Sequence, residues 1–207
     1  MEQVLDTYEK PYNPDYPVVN LDESPKSLHE HVYRPFMASD GTVYEDYEYV
    51  RKGSVTMFMV AQPLAGFRKV FVEDNHTAVT YAKIVAHIVE QLYPTAKQIT
   101  LVEDNLSAHK LAALYELYEP ARARAIIKKI KTVRTPKHGS WLNIAENEFS
   151  VLVRHGLKSR VATKEQLQRQ ADAWCSRRNK ECRKVNWQFT TADARVKLKR
   201  LYPQFQP

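Results

Sequence analysis

Val18-Val19-Asn20-Leu21-Asp22-Glu23-Ser24 is the stretch on which the fold turns. Val18, Val19 and Leu21 give it the content of a buried strand, with Pro17 before it and Pro25 predicted to end it. It closes on a carboxylate, Asp22. The same pattern returns at Ile99-Thr100-Leu101-Val102-Glu103-Asp104-Asn105, where a strand over 98–104 closes on Asp104. Two strands that each end in an acid predict an open sheet with its chemistry at the strand ends.

Working outward, Ser54–Ala61 (S-V-T-M-F-M-V-A) has the β-branched and aromatic content of a central strand. Pro63–Gly66 reads as a turn and Phe67–Val72 as the hairpin partner. Ala78, Ala82, Val85, Val89 and Leu92 recur at intervals of 4, 3, 4 and 3, which predicts a helix capped by Thr77 and stopped by Pro94. Ser107 is predicted to cap a helix carrying Leu111, Leu114, Tyr115 and Tyr118 as far as Pro120. A basic helix over 121–129, a short strand over 132–134, a turn at Pro136–Ser140 and a helix over 142–153 follow. Thr163 with Gln166, and Thr190 with Asp193, are capping-box patterns that open C-terminal helices. Residues 1–17, marked by Pro11, Pro14 and Pro17, read as an irregular lead-in. Residues 24–52 read as an exposed connection or partial strand. The element order predicts an α/β fold, a mixed sheet flanked by helices.

Composition narrows the class. At 207 residues with 43% hydrophobic and 27% charged residues, the chain is an ordinary globular protein with one sizeable core. No run of 18 apolar residues is present, so a membrane-spanning helix is excluded. The net charge of +7 suits a polyanionic partner. The two cysteines, Cys175 and Cys182, are too few for a disulfide framework or a zinc site, and a cytoplasmic location fits reduced thiols.

A third acid completes a set. Thr135-Pro-Lys-His-Gly-Ser-Trp-Leu-Asn-Ile-Ala-Glu-Asn147 places Glu146 beyond a Pro/Gly turn on a helical segment. Two-metal phosphodiester chemistry needs carboxylates that converge from different elements on cations about 3.5–4 Å apart. Each acid alone has a blander explanation. Asp104 followed by Asn105 is a common turn former, Asp22-Glu23 shares that ambiguity, and Asn143 with Glu146 fits a capping box. Glu148 competes with Glu146, since a helical wheel puts Glu148 inside the apolar arc and Glu146 at its edge. Periodicity does not choose between them.

The stretches V-V-N-L-D-E-S-P, V-E-D-N-L-S-A-H-K, T-P-K-H-G-S-W-L-N-I-A-E-N-E and V-N-W-Q-F-T-T-A-D-A-R-V-K-L-K-R-L-Y-P resemble the bacterial insertion-sequence branch of the Tc/mariner transposase superfamily. The resemblance covers almost the whole chain. It implies an RNase H-like DDE endonuclease domain over 18–160 and a C-terminal helical extension over 161–207 packed on it. Asp22, Asp104 and Glu146 then fall on the catalytic, metal-holding positions. Two Mg²⁺ ions, or Mn²⁺, are the implied cofactors, and double-stranded DNA, at transposon ends and target, is the implied partner. Also implied are strand cleavage followed by strand transfer, a homodimer and a bacterial nucleoid-associated setting. Such transposases usually carry N-terminal helix-turn-helix modules, and a chain beginning just upstream of the first strand fits a truncated gene, a second reading frame joined by frameshifting, or a remnant. The 41 residues between Asp104 and Glu146 exceed the family's usual spacing, with the extra length in the basic segment 119–131.

Two other functions share the same pattern: a non-catalytic, regulatory DNA-binding fragment, and a general RNase H-type nuclease acting on RNA–DNA hybrids. Arg122, Arg124, Lys128, Lys129, Lys131, Arg134, Lys137 and His138 are the expected DNA contacts near Glu146, against the plainer reading of a solvated basic face. A second basic group is Arg177, Arg178, Lys180, Arg183 and Lys184. His109 is expected to be a neutral core or turn histidine, with a role at phosphate or metal-bound water as the alternative. Trp141 is expected to anchor the core. Leu167, Ala171, Trp174 and Cys175 form one helical stripe that reads as packing.

Overall fold

Alternating and continuous apolar runs build one five-stranded sheet, and their period decides which helices cover which face. In the computed structural model, residues 1–137, 139–157 and 159–202 are described. The long strands β1 (Val18–His31) and β4 (Tyr49–Gln62) pair antiparallel, and β5 (Phe67–Glu73) adds to β4 as its hairpin partner. The short strands β6 (Ile99–Glu103) and β7 (Ile130–Arg134) run parallel to β1 and to each other. The order across the sheet is β5-β4-β1-β6-β7, with a separate two-stranded ribbon of β2 (Phe36–Met37) and β3 (Val43–Tyr44). This is the mixed α/β arrangement expected.

One face carries Val19, Leu21, Phe58, Ile99 and Leu101, and packs on α2 (Ala78–His87), α3 (Leu114–Leu117) and α4 (Pro120–Lys129). Thr77 caps α2 through its side chain, as predicted, and the helix continues into a wider turn over Ile88–Leu92. The other face carries Met57, Met59, Val70 and Val72. It packs on α5 (Ile144–His155) through Ala145, Phe149 and Leu152, and on α6 (Lys164–Lys180) through Leu167, Ala171, Trp174 and Cys175. The predicted stripe on α6 is therefore core. Gly66, at the β4–β5 turn, has φ +67°, and a Cβ there would lie 2.8 Å from the Cys182 backbone, so only glycine lets the chain beyond α6 approach the hairpin.

Several expectations are corrected. The lead-in is not irregular throughout: α1 (Glu2–Tyr8) is a helix, because the prolines begin only at Pro11 and Val4, Leu5 and Tyr8 form an apolar face. That face is buried with Val102, Val133, Leu142, Ile144 and Ala194, the last from α7 (Thr191–Lys197). β1 does not stop at Pro25. Its pairing with β6 ends at Asn20, and a strand with a neighbour on one side only tolerates a residue lacking N–H. The segment 24–52 is accordingly the far half of the β1–β4 hairpin plus the β2–β3 ribbon. Among the described residues Ser107 caps no helix; Asp104 Oδ1 accepts from Leu106 N at 2.9 Å, and this turn delays helix until Leu111. Thr190 with Asp193 forms the full capping box, whereas Thr163 accepts from Gln166 N while the Gln166 side chain accepts from Ala162 instead. Trp141 is 40% exposed, lying beside Trp187 and Phe189 rather than in the core. Among the described residues no helix is long and apolar enough to cross a membrane.

Candidate active site

The parallel register of β1 and β6 brings the first two acids together. Val18 pairs with Thr100, Val19 with Leu101 and Asn20 with Val102. The same offset, carried two residues on, sets Asp22 level with Asp104. Because strand side chains alternate, both then face α5. Past Asn20 the ladder has ended, and the Leu21 carbonyl accepts instead from the Asn143 side chain at 2.9 Å. Asn143 Oδ1 also takes the Ala145 N–H, so one buried amide caps α5 and ties its first turn to β1. Glu146 sits in that turn. Asp22, Asp104 and Glu146 line one open cleft of about 750 Å³, shared with Glu23, Asn143, Ser150 and Arg154.

The cleft is short of positive charge. Burial, then the charges of Glu23, Asp104 and Glu146, push the Asp22 carboxyl up to about 7, against the single N–H it accepts from Glu23 at 3.0 Å. Glu146 Oε2 is buried with no hydrogen-bond partner among the described residues. Three hard-oxygen donors around an orphaned carboxylate oxygen fit a divalent cation such as Mg²⁺ or Mn²⁺.

The reverse face of the same two strands carries a second acidic layer, and this one is neutralised. Glu103 is buried; Tyr81 Oη donates to its Oε2 at 2.8 Å and Arg134 Nε lies 3.8 Å from its Oε1. Burial raises the Glu103 carboxyl, with His109, Tyr81 and Arg134 acting against it. The buried His109 ring stacks on Tyr81 at 4.7 Å. Its Nε2 lies 3.0 Å from Glu23 Oε2 and its Nδ1 3.1 Å from Asp104 Oδ1. Burial works against a charged imidazole, yet the bonds to Asp104 and Glu23 and the charges of Glu23 and Glu103 push His109 up to about 10. The His109 bond in turn holds the Asp104 carboxyl below its ordinary range. Glu23, Asp104 and His109 each bring one potential ligand atom within 4.8 Å of the others, but both ring nitrogens are already engaged by carboxylates.

Glu146 and Glu148 are separated by environment. Glu148 is buried against Arg68, with Nη2 2.7 Å from its Oε1, and Arg178 stands 3.4 Å from its Oε2. It holds α5 and α6 to β5 and does not reach the cleft. Of the expected DNA contacts, Arg134 joins the cluster, donating to the His109 carbonyl at 3.1 Å. Arg122 is committed elsewhere: Glu90 accepts both its Nε and Nη2, and its guanidinium lies 4.0 Å from the Tyr118 ring centroid. Lys129 donates to the Pro94 carbonyl. His138 lies outside the described residues. In the second basic group, Arg178 serves the fold through Glu148, while the Arg183 backbone carbonyl accepts from Arg68 and the Arg183 guanidinium pairs with Glu181 at 2.8 Å. Sequence reasoning missed Arg154, whose spacing from Glu146 and Ser150 along α5 was the available signal. It also missed the tether made by Asn143 and the bridging position of His109.

A family model described as DDE superfamily endonuclease matches residues 17–168. Among solved structures the chain is similar to the Mos1 mariner paired-end complex with Mn, at 12% identity and a TM-score of 0.56, covering 88% of this chain and 56% of that one. The Mos1 strand transfer complex matches at 12% identity and a TM-score of 0.54, covering 88% and 60%. This likeness establishes the RNase H-like fold. The chain thus spans less than two thirds of the length of those Mos1 chains. No curated protein gives a match.

Two outcomes follow from the geometry. Glu148→Ala should lower unfolding free energy by about 3–5 kcal/mol, because it strands the buried Arg68 charge, while Glu146→Ala should change it by less than about 1 kcal/mol. Denaturant titration of both variants checks this, and equal losses would erase the division of labour. The second outcome concerns Asp22, whose raised folded pKa means that stability is lost as pH climbs from the ordinary carboxylate value through about 7. At pH 8 without divalent cations, Asp22→Asn should therefore melt higher than the unaltered chain. Added Mn²⁺ should raise the melting temperature of the unaltered chain and leave Asp22→Asn nearly unmoved.

Proposed function

Since this chain belongs to the DDE superfamily endonucleases, we propose that it is the catalytic part of a Tc/mariner-type insertion-sequence transposase, cutting and joining DNA strands. The observation that carries the reading is the convergence of Asp22, Asp104 and Glu146 on one cleft from a central strand, its parallel neighbour and a facing helix. Asp22, Asp104 and Glu146 would hold the divalent cations. When bound, these supply Lewis acidity that activates a water or a 3′-hydroxyl and neutralise charge on the phosphate.

The chain's own residues prepare that chemistry. Asn143 fixes the first turn of α5 against β1, so Glu146 faces Asp22 rather than solvent. Acid crowding keeps the cleft unfavourable to a bare phosphodiester and favourable to cations first. Arg154 lies on the same side of α5 as Glu146 and Ser150, eight residues from Glu146 and so about 12 Å along the helix axis. There it offers a contact to a phosphate of the same strand, away from the reacting one. Arg134, at the catalytic end of the edge strand β7, extends the basic surface, and Lys131 lies on the same strand toward its other end. Dimerisation and recognition of transposon ends belong to the same proposal, supported by the sequence resemblance.

Supercoiled plasmid incubated with the chain should be nicked only with Mg²⁺ or Mn²⁺, and Asp104→Asn should lose this activity while still binding DNA. Nicking without divalent cations, or near-normal nicking by Asp104→Asn, would overturn the assignment; preference for RNA–DNA hybrids would redirect it to an RNase H-type nuclease. Arg154→Ala should weaken DNA binding and reduce the salt slope by about one contact. Arg122→Ala, whose guanidinium is already held by Glu90, should leave both unchanged.

A further inference from the structure

We propose that His109 is a positioning residue that sets the Asp104 carboxylate by bridging it to Glu23, an inference that rests on reading the cleft as a divalent-cation site. The bridge crosses a gap. Ladder pairing between β1 and β6 ends at Asn20 and Val102, just short of the two acids that must stay in register. Asp104 hangs beyond the end of β6, its side chain 41% exposed, with the Leu106 N–H as its backbone partner. Nothing in the strand itself fixes its rotamer.

His109 supplies the missing restraint. Its side chain is 1% exposed, and Tyr81 stacks on one face at 4.7 Å with 27° between the planes. Tyr81 is in turn anchored by its hydroxyl on Glu103, the residue before Asp104. Nε2 meets Glu23 Oε2 at 3.0 Å, which fixes rotation of the ring within that plane. Nδ1 is then aimed at Asp104, 3.1 Å from Oδ1 and 3.3 Å from the carbonyl oxygen. The backbone of His109 is held as well, its N–H on the Leu106 carbonyl and its carbonyl on Arg134. Glu23 follows Asp22 on β1. The Glu23–His109–Asp104 chain thus continues with side chains the β1–β6 connection that the backbone no longer makes. A histidine that merely filled the core would need one partner; this one joins acids from both strands and touches the carboxylate that faces the cleft.

The two ring nitrogens can be tested apart. The amide of an asparagine reaches the place of Nδ1, and that of a glutamine reaches the place of Nε2. His109→Asn should therefore keep the Asp104 contact, and His109→Gln should keep only the Glu23 contact. Mn²⁺ titration followed by electron paramagnetic resonance, melting temperature and nicking kinetics are measured for both, and for Glu23→Ala as a milder variant. His109→Gln is expected to lose roughly 10–100-fold in Mn²⁺ affinity, as removal of a metal ligand's hydrogen-bond partner commonly does, with kcat falling and KM for DNA unchanged. His109→Asn, which keeps the Asp104 contact without the Glu23 leg, and Glu23→Ala, which removes the same leg, are both expected to fall between His109→Gln and the unaltered chain. Unaltered Mn²⁺ affinity in His109→Gln, or losses in all three that simply track melting temperature, would overturn the positioning role while leaving the endonuclease reading intact. Failure of the unaltered chain to bind Mn²⁺ would overturn both.

Discussion

Parallel pairing between β1 and β6 is the constraint from which the site follows. Side chains along a strand alternate, so a slip of one residue would send Asp22 to the α2 face and leave Asp104 alone in the cleft. The register is held by burial on both faces. Val19, Leu21, Ile99 and Leu101 fill the α2 side, while Val102 packs on Leu142 and Ile144 of the opposite side. Parallel strands covered on both faces read as unbroken apolar runs. That is why V-V-N-L and I-T-L-V announce themselves, and why the acids that end them arrive level.

The same two strands bear acids on both faces, treated oppositely. On the α2 face Glu23 and Glu103 are matched by His109, Tyr81 and Arg134, so burial there is compensated. On the α5 face Asp22 has one backbone N–H and three acidic neighbours, and Glu146 leaves an oxygen unpartnered. A fold able to neutralise one layer so fully had the means to neutralise the other. Leaving Asp22 and Glu146 uncompensated costs the folded chain stability, the usual relation between a functional cluster of like charges and the stability around it.

What could be read in advance was local. Asp22 and Asp104 were legible because strand composition and a terminal acid lie within a few residues of each other. Asn143 was legible as a cap for the same reason. The choice between Glu146 and Glu148 was not, because it depends on Arg68, eighty residues away, which claims Glu148. The partners of His109 come from three separate segments, so no local pattern shows that it bridges two acids. The apolar face Val4, Leu5 and Tyr8 of α1 is masked by the three prolines that follow it, and the run of β1 through Pro25 shows only in the sheet order, where its β6 neighbour has already left. In the basic segment 119–131 charge alone does not show that Glu90 and Pro94 take two of its cations for the fold.

Helix α5 joins these strands of reasoning. Residues two positions apart on a helix are about 200° apart, so Glu146 and Glu148 must point to nearly opposite sides, and fixing one fixes the other. The Arg68–Glu148 pair is fully buried, and a buried ion pair contributes little net stability compared with apolar packing. Its value lies in direction. With Glu148 locked beneath the sheet and Asn143 locked to the Leu21 carbonyl, α5 can neither rotate about its axis nor lift its first turn, and Glu146 is left facing Asp22 and Asp104. The structural carboxylate thereby aims the one that faces the cleft.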